Sequence, residues 1–120
     1  MKKVIIAFDV DGTLIRNDSD GDMDGGVPVA NERIRSMLVA FASFKNTKIV
    51  VWSGGGELYA RQIASRLGID KYVDAYYSKN LTGKNADGSH TFTPEIVPDI
   101  AIDDIQSCEL GLINLIVREK

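Results

Sequence analysis

Two kinds of apolar pattern alternate along the chain. Residues 4 to 8, Val-Ile-Ile-Ala-Phe, form an unbroken apolar run, the signature of a strand buried on both faces of a parallel sheet. The pattern returns in KIVVW at 48–52, DAYYS at 74–78, DIAID at 99–103 and INLIV at 113–117, which predicts five strands. Between the first two runs, Ile34, Met37, Leu38, Phe41 and Phe44 recur at helical spacing behind Asn31, a residue suited to an N-cap. Between the second and third, Tyr59, Ile63 and Leu67 line one helical face ahead of Gly68, which suits a helix stop. A short helix over 105–110 is expected to join the last two strands. Strands alternating with helices predict an α/β domain built on a mostly parallel five-stranded central sheet. Two stretches, 16–29 and 79–98, break the periodicity and read as irregular connections.

In an open parallel sheet, ligands bind beyond the carboxyl ends of the strands. The first predicted strand runs into Asp9, with Asp11 just beyond it and Gly12 after that. The second ends at Ser53 before Gly54 and Gly55, the third at Ser78 and Lys79, and the fourth at Asp103 and Asp104. Gathering Asp9, Asp11, Asp103 and Asp104 at one end of a sheet costs several kcal/mol unless a cation neutralises them. The available ligands are all oxygens, which favours Mg²⁺ over zinc, and Mg²⁺ keeps waters that a phosphate can displace. The Ser53 hydroxyl, the N–H groups of Gly54 and Gly55 at a helix start, and the Lys79 ammonium are the groups that phosphoryl oxygens require. The pattern reads as metal plus phosphate.

Composition narrows the alternatives. A chain of 120 residues with 44% hydrophobic content suits one domain over residues 1–120. Its net charge of −3 supplies no global positive field for a nucleic acid. The single cysteine, Cys108, excludes an internal disulfide, and with the single His90 it is too little for zinc. The run from Val4 to Phe8 is shorter than the ~7–15 apolar residues of a secretory signal, and no stretch reaches the ~20 that span a bilayer. A cytoplasmic, unanchored protein is expected.

The segment DVDGT at 9–13 resembles the signature of the haloacid dehalogenase superfamily, and VVWSGG, Lys79 and PDIAIDD resemble its remaining motifs in the expected order. The resemblance implies a three-layer Rossmann-like domain of the small, uncapped phosphatase type, with a short flap at about 14–30. It implies that Asp9 is the nucleophile, forming an aspartyl-phosphate, and that Asp11 is the general acid and then the general base. It implies Mg²⁺ held by Asp9, the Asp11 backbone carbonyl and Asp103, with Asp104 helping directly or through water. Ser53 and Gly54 would contact the phosphoryl group, and Lys79 would offset its charge, with Lys84 as the rival lysine. An acid at position 11 resembles the phosphatase and phosphomutase branches, since dehalogenases lack one there. An uncapped site is open, so the substrate is a large phosphorylated molecule or a neighbouring subunit of a homo-oligomer covers the site.

Plainer readings stand beside these. Asp9 and Asp11 could form a turn in which Gly12 supplies a positive φ, Ser53 could cap the helix before Glu57, and Lys79 could be a solvated lysine. Trp52, Tyr76 and Tyr77 read as packing residues. A noncatalytic phosphate- or metal-binding relative is the main functional alternative. Asp20, Asp22, Asp24 and Gly25 match the opening of a calcium loop, but with Asp20 first the twelfth position is Asn31, and the required Glu arrives one residue late as Glu32.

Overall fold

The computed structural model describes residues 3–16, 29–79, 81–84, 86, 90–92, 95–104 and 110–118. The elements are β1 (Val4–Asp9), α1 (Glu32–Ala42), β2 (Thr47–Ser53), α2 (Glu57–Arg66), β3 (Ala75–Ser78), β4 (Leu81–Lys84), β5 (His90–Phe92), β6 (Ile100–Asp103) and β7 (Ile113–Ile116). A single 3₁₀ turn, Asp70–Tyr72, lies between α2 and β3. Five strands form one parallel sheet in the order β3-β2-β1-β6-β7. This is an α/β fold whose central strand is the first apolar run of the sequence. Among the described residues, no helix is long and apolar enough to cross a membrane.

Successive side chains of a strand point to opposite faces, and both faces of the central strands are dry. Ile6, Phe8, Ile49, Val51 and Ile102 share one core with Ile34 and Leu38 of α1 and Ala60, Ile63 and Ala64 of α2. Ala7, Val50, Trp52 and Ala101 face the other way and are covered by Leu110 and Ile96. Both described helices therefore lie on one face, as same-handed crossovers running β1 to β2 to β3 require. The short helix expected over 105–110 falls largely outside the described residues, as does Cys108. Trp52 is fully buried, in keeping with a packing role.

The helix ends follow from local chemistry. Asn31 caps α1, its side chain accepting from the Ile34 N–H at 3.4 Å. Helix α2 closes in a Schellman motif: Gly68, at φ +73°, donates to the Ser65 carbonyl and Ile69 donates to that of Ala64. The amino ends of the strands are closed by two carboxylates that sequence pattern places inside strands. Asp74 and Asp99 each precede a strand by one residue and accept from the N–H groups of Ile49 and Ile5, both at 2.8 Å.

The irregular stretch 79–98 contains an unexpected antiparallel pair, β4 with β5, whose register shifts between Thr82 and Lys84. The flap expected at about 14–30 is described only at its two ends. There Ile15 bridges Ala30, and the Arg16 N–H donates to the Val29 carbonyl at 2.9 Å, so the ends are pinned together. Asp20, Asp22 and Asp24, the calcium-loop candidates, lie outside the described residues.

Candidate active site

The strand order brings the predicted residues to one place. Asp9 ends the central strand, flanked by Ser53 on β2 and Asp103 on β6. Lys79 follows β3, one strand further out, and its N–H donates to the Ser53 carbonyl at 2.9 Å, which extends the parallel β2–β3 ladder by one bond. The Lys79 ammonium then donates to Asp9 Oδ1 and to Asp103 Oδ2, both at 2.8 Å. All three side chains are almost wholly buried. Lys79 is thus the lysine brought to Asp9; Lys84 belongs to β4.

Oxygens of Asp9, Asp103 and Asp104 lie within 4.8 Å of one another. Among the described residues, these three carboxylates, two buried and Asp104 half-buried, meet the one ammonium of Lys79, an excess of negative charge. The consequence appears in the titration of Asp9: burial first, then the Asp103 charge, push its carboxyl up to about 8, against the opposing pull of Lys79. Burial also works against a charged Lys79, but Asp9 and Asp103 outweigh it and hold its pKa above the usual lysine range. A divalent cation would match the surplus charge, and the all-oxygen donor set fits Mg²⁺.

The loop after β1 is tightly built. Gly12 takes φ +81°, as a turn at this position requires, and the Thr13 hydroxyl donates to Asp9 Oδ2 at 3.1 Å. Asp11 is exposed, and its carboxylate lies outside the group formed by Asp9, Asp103 and Asp104. It instead accepts a 2.8 Å bond from the Tyr59 hydroxyl. Sequence reasoning assigned Tyr59 to the core from its helical spacing and gave Thr13 no role.

After β2, Ser53 Oγ accepts from the Gly55 N–H at 2.9 Å, and the N-cap of α2 is Gly56, not Ser53. Gly55 is therefore engaged within the turn, which leaves the Gly54 N–H as the candidate donor to an anion. No family model, no curated protein and no solved structure matches this chain.

Proposed function

We propose that the protein is a Mg²⁺-dependent phosphomonoester hydrolase, a three-layer, uncapped domain of the haloacid dehalogenase type that works through an aspartyl-phosphate on Asp9. The observation that carries this reading is the buried Asp9–Lys79–Asp103 chain at the carboxyl end of the central strands, with Asp104 beside it. Nothing in packing requires two charged pairs there, and buried ion pairs contribute little net stability.

Asp9, Asp103, Asp104 and the Asp11 backbone carbonyl would hold Mg²⁺. When bound, the ion supplies the positive charge that favours ionised Asp9 and neutralises phosphoryl oxygens. The Asp9 carboxylate attacks phosphorus in line, so that an oxygen–phosphorus bond forms as the bond to the leaving oxygen breaks. Protonated Asp11 gives its proton to that oxygen, and the alcohol departs neutral. The Asp11 carboxylate then takes a proton from the water that attacks the aspartyl-phosphate, which regenerates Asp9 and releases inorganic phosphate. The Ser53 hydroxyl and the Gly54 N–H donate to phosphoryl oxygens, and the Lys79 ammonium offsets their charge.

The test is a broad panel of phosphomonoesters with Mg²⁺, run with wild-type protein beside Asp9→Asn. Turnover of at least one ester by wild type and none by the variant is expected. Folded wild-type protein that hydrolyses nothing on the panel points to a noncatalytic phosphate-binding relative instead.

A further inference from the structure

We propose that Tyr59 is a positioning residue for Asp11, holding the proton-transferring carboxylate on the α2 side of the site through its phenol hydroxyl. This inference rests on the hydrolase reading above and adds a residue to it. The 2.8 Å bond from Tyr59 Oη to Asp11 Oδ1 joins residues 48 positions apart, on the loop after β1 and in the first turn of α2. Asp11 sits on an exposed turn, where a carboxylate without a fixed partner exchanges rotamers freely. The tyrosine has the opposite character, its ring packed partly buried against the core that α1 and α2 share. A fixed ring with a polar tip is a rigid arm for a mobile acid.

The local sequence makes room for that arm. Gly55 lies under the ring: a Cβ there would stand 3.1 Å from Tyr59 Cδ2 and 3.4 Å from Ser53 Oγ. The same glycine donates its N–H to Ser53 Oγ, so the phosphate-binding turn and the arm are built against each other. The Asp11 carboxylate is held apart from the Asp9, Asp103 and Asp104 group. That leaves it to meet the leaving oxygen and the attacking water.

Protonation of the leaving oxygen matters most when that oxygen is basic. An alkyl phosphate needs the acid, whereas 4-nitrophenyl phosphate expels a stable anion without it. The experiment compares kcat/KM on ethyl phosphate and on 4-nitrophenyl phosphate, with Mg²⁺, for wild type, Tyr59→Phe and Asp11→Asn. Tyr59→Phe retains the ring and its packing, and a thermal melt checks the fold of each variant. The expected result is a fall of about tenfold or more on the alkyl ester for Tyr59→Phe, and of less than about threefold on the nitrophenyl ester. Asp11→Asn should show the same asymmetry, enlarged. An equal fall on both esters, or none on either, overturns the positioning role, because a merely structural defect does not sense leaving-group basicity. Wild type that hydrolyses neither of these esters nor any other member of the broad panel overturns it together with the hydrolase reading.

Discussion

Lys79 Nζ lies 2.8 Å from Asp9 Oδ1, although the two residues are 70 positions apart and Lys79 follows β3, which does not neighbour β1. The Lys79 N–H extends the β2–β3 ladder to the Ser53 carbonyl, and from there the long side chain reaches the carboxyl end of β1. Removing the ammonium would leave Asp9 and Asp103 buried with no counter-charge from Lys79. Lys79→Met, which keeps much of the side chain's volume, should destabilise the metal-free protein by about 3–5 kcal/mol. Asp9→Asn in the same chain should recover part of that loss, because it removes one of the two carboxyl groups that the ammonium had bridged. Urea denaturation of both variants in chelator measures the coupling.

The raised Asp9 pKa makes a claim about stability and pH. In the unfolded chain this carboxyl titrates near its ordinary value of 3.8, and in the fold at about 8. Between these values the folded protein holds a proton that the unfolded chain has released. The contribution is fully present below the unfolded value and is lost as pH rises through the folded one. The melting temperature of chelated protein should therefore fall from about pH 5 to about pH 8, more steeply than that of Asp9→Asn. Added Mg²⁺ should flatten the wild-type curve and leave that of the variant nearly unchanged. Melts across pH, with and without the ion, read this directly.

A third expectation separates fold from chemistry. Gly68 ends α2 at φ +73°, and the nearest atom to an added Cβ is Arg35 Nη2 at 3.8 Å, so space is available and only the backbone conformation resists. Gly68→Ala should cost about 1 kcal/mol in a denaturation curve and leave the rate of any turnover unchanged.

Much of this architecture is readable in the chain. Apolar runs mark strands buried on both faces, and the rule that ligands gather at their carboxyl ends singles out Asp9, Ser53, Lys79 and Asp103. Spacing along a helix says which face is buried but not where a side chain's tip reaches. Tyr59 satisfies the core pattern with its ring and meets Asp11 with its hydroxyl, and only the second fact concerns chemistry. Asp74 and Asp99 sit next to apolar residues and read as strand, yet their carboxylates satisfy N–H groups near the amino ends of neighbouring strands, those of Ile49 and Ile5. The β4–β5 pair is absent from the sequence reading because LTGK and HTF carry little apolar alternation, and its shifted register interrupts even that.

Phosphorylation of Asp9 is the step on which the proposed hydrolysis depends, and acid-quenched labelling can detect it. The protein is mixed with Mg²⁺ and 4-nitrophenyl phosphate labelled at phosphorus, quenched during turnover, and digested for peptide mapping. Label is expected on the peptide that contains Asp9, sensitive to hydroxylamine as an acyl phosphate should be, with no label in Asp9→Asn. Sustained turnover by Asp9→Asn, or wild-type label carried by a different residue, would contradict phosphorylation at Asp9.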